Sequence, residues 1–296
     1  MRTFRILILL LFSASLSWGQ TLKTSGKKIV DDQGKEILLK GVGLGGWMLM
    51  EGYMMQSGDV ANTQHEFRER LVDLMGETKT QEFFDAWLEN HVTKKDVDSL
   101  AKWGFNSVRL PMHYNLFTLP IEDEPVVGTN TWLDKGFQMV DDLLDWCEEN
   151  ELYLILDLHA APGGQGYDEA ISDHDPDKPS LWESQENKDK TIALWRKLAE
   201  RYSDEPWLGG YDLLNEVNWD LPGGSALRAL YIQITNAIRE VDQNHIIFIE
   251  GNWFANDFTG LTPPWDDNMV YSFHKYWSFN DTESIQWVLD LRDNQN

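Results

Sequence analysis

Gly209-Gly210-Tyr211-Asp212-Leu213-Leu214-Asn215-Glu216-Val217-Asn218 is an apolar run that stops abruptly on an amide and a carboxylic acid. A buried strand with this ending carries the two groups out of a core and into a pocket. Barrel enzymes keep their chemistry at the C-terminal ends of parallel strands. Cleavage of a glycosidic bond needs one protonated carboxyl beside the leaving oxygen and a polar neighbour to hold the sugar. Taken alone, the stretch fits a strand and a solvated turn equally well, so the rest of the chain decides.

Working outward, apolar strand-like runs begin near Leu39, Asn106, Leu152, Tyr211, Ile246 and Met269. Helical periodicity predicts helices over Asp134 to Asn150, Lys188 to Tyr202 and Ser225 to Val241. Residues Asn62 to Trp103 are helical in pattern, with breaks near Gly76 and at His91-Val92-Thr93. The run Leu152 to His159 is almost purely apolar, as expected of a strand buried on both faces. Phe105 to Pro111 reads as a short strand ended by proline. Lys28–Val30 and Ile37–Leu39 flank the turn Asp31-Asp32-Gln33-Gly34 and predict an N-terminal β-hairpin. Strand and helix thus alternate, which means a parallel sheet. Several strands end on a polar or ionisable residue: Arg109, His159, Asn215-Glu216, Glu250, His274. A doubly wound sheet would gather such groups at one crevice, whereas a barrel mouth spreads them over many strands. The expected fold is α/β, an incomplete (β/α)8 TIM barrel of about six βα units with an N-terminal hairpin.

Composition narrows the partners. The 296 residues are 42% hydrophobic, enough for a packed core. Asp plus Glu number 49 against 25 Lys plus Arg, a net charge of −24 that repels phosphate backbones, so no nucleic-acid partner is expected. Fourteen tryptophans serve mostly as core filling, but aromatic rings also make apolar platforms for sugar faces. Arg2 and Arg5, the apolar run Ile6 to Phe12 and the small residues Ser13 to Gly19 read as an export signal over residues 1–19, too short to span a bilayer. No second apolar run is long enough for a membrane helix. The single cysteine, Cys147, sits on the apolar face of a helical pattern and is expected to be buried and inert. Val42 to Trp47 is glycine-rich, but no Lys-Ser/Thr follows it, so a nucleotide loop is not expected. No metal site or cofactor is expected: His65-Glu66 lacks the second histidine of a zinc helix, and Asp173, Asp175 and Asp177 lack the glycine and glutamate of a calcium loop.

These motifs, in this order, resemble glycoside hydrolase family 5, nearest to its exo-β-1,3-glucanase and β-glucosidase-like branch. The residues that carry the resemblance are the hairpin with Gly41-Val42-Gly43-Leu44-Gly45-Gly46-Trp47, then Val108-Arg109-Leu110-Pro111, and Asp157-Leu158-His159-Ala160-Ala161-Pro162-Gly163-Gly164-Gln165. Leu214-Asn215-Glu216-Val217-Asn218 and Ser272-Phe273-His274-Lys275-Tyr276-Trp277 complete the set. The resemblance implies a retaining hydrolase with a (β/α)8 barrel over residues 20–296. It implies that Glu216 is the acid/base, with a pKa raised by burial or by a nearby carboxylate, and that Asn215 bonds the sugar 2-hydroxyl. Arg109 would orient the nucleophilic carboxylate, with His159, His274 and Tyr276 around the site. Trp47, Trp219 and Trp277 are candidate sugar platforms, and His113 a candidate substrate contact.

One departure matters. In the family the nucleophilic glutamate ends strand seven, and six strands are legible here, so the resemblance implies a chain lacking its last strands and a nucleophile beyond Asn296. Glu250 is a carboxylate at a strand end and is read as a binding or supporting group rather than as the nucleophile. The expected substrate is a β-glucan or β-glucoside, hydrolysed outside the cytoplasm by a monomer. An endo-β-1,4-glucanase or mannanase of the same family, and a non-catalytic carbohydrate-binding barrel, are the alternatives.

Overall fold

The computed structural model describes residues 21–276, together with 286, 288–290 and 292–293. The expected export signal at 1–19 and Trp277 lie outside the described residues. Two short antiparallel strands, β1 (Lys23–Ser25) and β2 (Lys28–Val30), open the chain. Six parallel strands follow: β3 (Gly41–Gly43), β4 (Ser107–His113), β5 (Tyr153–Ala160), β6 (Leu208–Asp212), β7 (Ile246–Glu250) and β8 (Met269–Ser272). They hydrogen-bond in strict chain order, β3-β4-β5-β6-β7-β8. A doubly wound sheet reverses its order at a switch point. Unbroken sequential order is the arrangement of a barrel wall, and among the described residues the sheet is an arc of an incomplete (β/α)8 barrel with six strands.

Helices link the strands. Between β3 and β4 lie the single-turn α1 (Gly52–Met55), then α2 (Gln64–Met75), α3 (Glu77–Asn90) and α4 (Lys94–Lys102). Helix α5 (Asp134–Glu149) joins β4 to β5. The single-turn α6 (Glu169–Ser172) and then α7 (Gln185–Tyr202) join β5 to β6, and α8 (Ser225–Arg239) joins β6 to β7. The breaks read in the sequence have local causes. Thr63 and Glu66 form a reciprocal capping box that starts α2, and Gly76 ends it. Thr93 and Asp96 cap α4 in the same way. In α5 the buried positions Phe137, Val140, Leu143, Leu144 and Cys147 recur every three or four residues and face the sheet. Burial pushes the Cys147 thiol up to about 12, as suits an unreactive core sulfur. Among the described residues no helix is long and apolar enough to cross a membrane.

Two details differ from the expectation. The hairpin pairs Lys28–Val30 with the preceding Lys23–Ser25, not with Ile37–Leu39. Gly26, at φ +59°, supplies the tight two-residue turn that this requires. The expected pairing persists as a Val30–Glu36 bridge flanked by the Ile37 N–H to Ile29 carbonyl and Asp31 N–H to Lys35 carbonyl bonds. Nor does Pro111 end β4, which runs on to His113. The Arg109 carbonyl bonds the Leu44 N–H on the β3 side, so by alternation Pro111 also faces that side. There β3 has already stopped, its last residue paired with Arg109, and the missing N–H costs no ladder bond.

The strand starts at 41, 107, 153, 208, 246 and 269 fall close to the six read from the sequence. The Gly209-Gly210 pair explains the tight middle of the wall. A Cβ on Gly210, whose φ is +150°, would stand 2.4 Å from the Ile246 carbonyl oxygen and 2.7 Å from the Phe248 ring. Gly210→Ala should therefore lower unfolding free energy by about 1–3 kcal/mol, the cost of overpacking a closed core. Urea denaturation at the wild-type midpoint would show an unchanged value if β6 and β7 were less close than this.

Candidate active site

At the C-terminal end of the sheet, one guanidinium gathers four groups from three neighbouring strand ends. Arg109 of β4 donates from Nε to Asp212 Oδ2 at 2.9 Å and from Nη2 to both Glu250 Oε1 at 2.8 Å and Asn215 Oδ1 at 3.0 Å. Its Nη1 lies 3.0 Å from Asp157 Oδ2. Asp157, Asp212 and Glu250 are at most 2% exposed. Burial opposes the charge on Arg109, but the three carboxylates outweigh it and raise its pKa further. Burial, followed by the charge of Glu250, raises the pKa of Asp212 against the pull of Arg109.

Asn215 and Glu216 follow β6 directly. Gln165, fully buried, fixes their height: its amide nitrogen donates to the carbonyls of His159 and Asn215, while its oxygen accepts from Ala161 N–H. The Asn215 N–H bonds the Leu158 carbonyl, so the ends of β5 and β6 are tied together. Glu216 adopts a left-handed φ of +36°, a costly conformation for a residue with a side chain. Its N–H donates to Glu250 Oε2 at 2.7 Å, and that bond helps to hold the turn.

The Glu216 carboxyl is 6% exposed. Its Oε1 accepts from the Tyr276 hydroxyl at 3.0 Å and lies 2.5 Å from His274 Nδ1. The other imidazole nitrogen, Nε2, lies 3.0 Å from Glu250 Oε1, so His274 stands between the two glutamates. Burial pulls the His274 pKa down, but the hydrogen bonds to Glu216 and Glu250 push it up to about 10. His159 is similar. Its Nδ1 lies 2.6 Å from Asp157 Oδ2 and its Nε2 3.6 Å from Glu51 Oε1. Burial is again overcome, here by Asp157 and then Glu51, and the pKa reaches about 9. Glu51 in turn accepts from the Tyr53 hydroxyl at 2.7 Å.

Glu216 opens onto a cavity of about 870 Å³ lined by Tyr53, Asp168, Ile171, Phe254, Asn256, His274, Lys275 and Tyr276. A volume of this size falls within the range of small-molecule ligand pockets. Tyr53 and Tyr276 are each more than 60% exposed and present aromatic faces at its rim. Arg109, Asn215 and Glu250 form a polar floor behind Glu216. Within that floor Asn215 Nδ2 is buried and has no hydrogen-bond partner among the described residues, leaving a free donor beside the carboxyl.

The structure thus brings Arg109, His159, Asn215, Glu216, Glu250, His274 and Tyr276 to one place. It does not bring Trp47 there. That indole is 3% exposed and donates to the Leu88 carbonyl, while Trp87 donates to the Gly46 carbonyl, so Trp47 is a core residue stapling α3 to the segment after β3. Trp219 is half-buried and stacks on Tyr167, ring centroids 3.9 Å apart. His113 is 2% exposed and turned toward Asp173, away from this cavity. Asp157, Asp212, Glu51 and Tyr53 were not singled out by the sequence reading. For the two aspartates a signal existed: an acid inside an apolar parallel strand must find a counterion, and Arg109 is a basic residue inside a strand of the same sheet. Among the described residues no group of three or more His, Cys, Asp or Glu could hold a metal ion.

A model of the cellulase family, glycosyl hydrolase family 5, matches residues 63–295. The chain is 37% identical over 257 residues to a beta-xylosidase of Phanerodontia chrysosporium, covering 86% of this chain and 52% of that protein. It is 28% identical over 255 residues to a probable glucan 1,3-beta-glucosidase A of Aspergillus fumigatus, covering 82% and 56%. The chain spans about half the length of the curated relatives it matches. A crystal structure of a beta-glucanase from Saccharophagus degradans with cellotetraose shares the fold, with a TM-score of 0.59 at 19% identity, over 93% of this chain and 68% of that one.

The two raised histidines give a stability signature with a definite sign. A pKa higher in the folded state contributes stability in full below the ordinary histidine value near 6.5, and that stability is lost as pH rises through about 9 for His159 and about 10 for His274. Urea midpoints should therefore fall between pH 7 and pH 10, and fall less steeply in His159→Gln and His274→Gln. Variants with the wild-type slope would show that these imidazoles do not carry the effect.

Proposed function

The chain belongs to glycosyl hydrolase family 5, and on that footing we propose that the protein is a retaining glycosidase acting on β-glucan, as an exo-β-1,3-glucanase or β-glucosidase does. One observation carries this reading: Glu216 is a buried carboxyl at a strand end, bonded by His274 and Tyr276, opening onto a sugar-sized cavity with the Asn215 amide beside it. In the first half-reaction Glu216 protonates the glycosidic oxygen as the bond to the anomeric carbon breaks. In the second it takes a proton from the water that releases the sugar. The Asn215 Nδ2 donor suits a hydroxyl on the ring next to the breaking bond. Retention requires a nucleophilic carboxylate about 5 Å from the acid/base. Glu250 is not that group. Its Oε1 is engaged by Arg109 and His274 and its Oε2 by the Glu216 N–H, and it is fully buried. It holds Glu216 and His274 in place, and the nucleophile is supplied from outside the described residues.

A β-xyloside is the second substrate reading, favoured by the 37% identity to a protein named beta-xylosidase. Glucosides and xylosides differ by one hydroxymethyl group, so p-nitrophenyl β-glucoside, p-nitrophenyl β-xyloside and laminari- and cello-oligosaccharides assayed side by side separate them.

In the full-length enzyme, Glu216→Gln should cut kcat/KM on unactivated glycosides by about 10²–10⁴, the worth of a general acid. On a substrate with a nitrophenol leaving group, which needs little protonation, bond cleavage should suffer less. Proton NMR of the first product should show the β-anomer. Near-normal turnover of oligosaccharides by the variant would sink the assignment. Residues 1–19 we assign as an export signal, so the mature secreted protein should begin near Gln20 on N-terminal sequencing. A chain that keeps Met1 would refute export by this route.

A further inference from the structure

Three residues that stood apart in the sequence meet away from Glu216. Asp173 Oδ1 accepts from the backbone N–H of His65 at 2.9 Å and lies 2.9 Å from that residue's Nδ1. Asp173 Oδ2 lies 2.8 Å from His113 Nε2. The two side chains Asp173 and His113 are almost wholly buried. The proton on His113 is placed by its surroundings: Nδ1 accepts from the Asn115 N–H at 3.1 Å, so the N–H is at Nε2 and is donated to Asp173. Asp173 therefore receives three donors on two oxygens. Burial alone would raise its pKa, but the hydrogen bonds from His113 and His65 outweigh burial and hold it below the usual carboxylate range. The bond to Asp173 in turn raises the pKa of His65. Bonds of this charge-assisted kind are the strong ones.

The position of this bridge gives it a consequence. Asp173 ends α6 in a left-handed conformation, φ +51°. The same turn carries Asp168 and Ile171, which line the Glu216 cavity. His65 begins α2, and the stretch before it is tied back to the Tyr53 segment by Gln64 Oε1 accepting from Met50 N–H and by the Asn62 carbonyl accepting from Gly52 N–H. Tyr53 lines the same cavity. His113 ends β4, the strand that carries Arg109. One carboxylate thus joins two lining segments, which come from distant parts of the chain, to the rigid end of a barrel strand.

We propose that Asp173 is a positioning residue for the substrate cavity: through His65 and His113 it locks the segment bearing Asp168 and Ile171, and the segment bearing Tyr53, to the end of β4. The role in binding rests on the reading of that cavity as the sugar site, while the locking itself does not. Asp173 touches neither the glycosidic oxygen nor Glu216, so its loss should appear in KM rather than in kcat. In the full-length enzyme, Asp173→Asn should raise KM about tenfold with kcat within about twofold, since a charge-assisted bond to a buried acid is lost but the shape is kept. Amide hydrogen exchange should speed up locally, over residues 51–55 and 163–176, with the strands unchanged. His65→Ala, at a half-exposed ring, should show the same pattern more weakly, and His65→Asn, which keeps a donor near the Nδ1 position, should restore most of it. Wild-type KM and wild-type exchange in Asp173→Asn would overturn the proposal. So would faster exchange throughout the barrel, which would mark a merely structural role. If the wild-type enzyme hydrolyses no glycoside, the glycosidase reading fails, and the exchange pattern still decides whether Asp173 locks these segments.

Discussion

Arg109 places one permanent positive charge among three carboxylates that are almost completely removed from water. Asp157, Asp212 and Glu250 come from three successive strands, and each reaches a different edge of the same planar fork. Arginine suits this position because its five N–H donors lie in a fixed plane and keep their charge at any working pH. Without it the floor of the barrel mouth would lose the one charge shared by all three buried acids, with His159 left beside Asp157 and His274 beside Glu250, and breaking such an arrangement is strongly destabilising. The strand order does the rest. Because β4 to β7 are sequential and parallel, their C-terminal ends arrive side by side, and the residues after them converge without any long excursion of the chain.

From that floor the network builds outward to Glu216. Glu250 is held by Arg109 and spends its second oxygen on the backbone of Glu216. Glu216 is thereby kept in a left-handed turn that a free chain would leave. His274 closes the circuit by reaching both glutamates, and Tyr276 adds a donor to the carboxyl that opens onto the cavity. Strain, burial and charge thus point one way: they set the direction of a single carboxyl. On the opposite flank, His159 repeats the scheme with Asp157 and Glu51, and carries the network to Tyr53 at the rim.

Much of this was legible in the chain because parallel strands buried on both faces leave unbroken apolar runs, and a polar residue that ends such a run stands out. The six strand starts and the cluster Arg109, His159, Asn215, Glu216 and His274 were visible for that reason. Other features depend on contacts between segments far apart in sequence, and these leave no local trace. Trp47 is a candidate platform by sequence, but α3 covers it and its indole bonds a carbonyl 41 residues away. His65 and Asp173 carry incomplete metal patterns and His113 reads as a substrate contact, yet the three meet one another across separations of 108 and 60 residues. Pro111 reads as a strand end because a missing N–H usually is one, but β3 is too short to need that donor.

The central claim is that the Glu216 carboxyl sits at the bond to be broken, and a sugar bound in place tests it most directly. A crystal structure of the full-length enzyme with an uncleavable thio-linked glucan oligosaccharide should put the bridging sulfur next to Glu216, within roughly hydrogen-bond reach of a carboxyl oxygen. Its neighbouring ring should rest a hydroxyl on Asn215 Nδ2. A sugar bound elsewhere on the protein, or one seated in the cavity with its linkage remote from Glu216, would contradict the account.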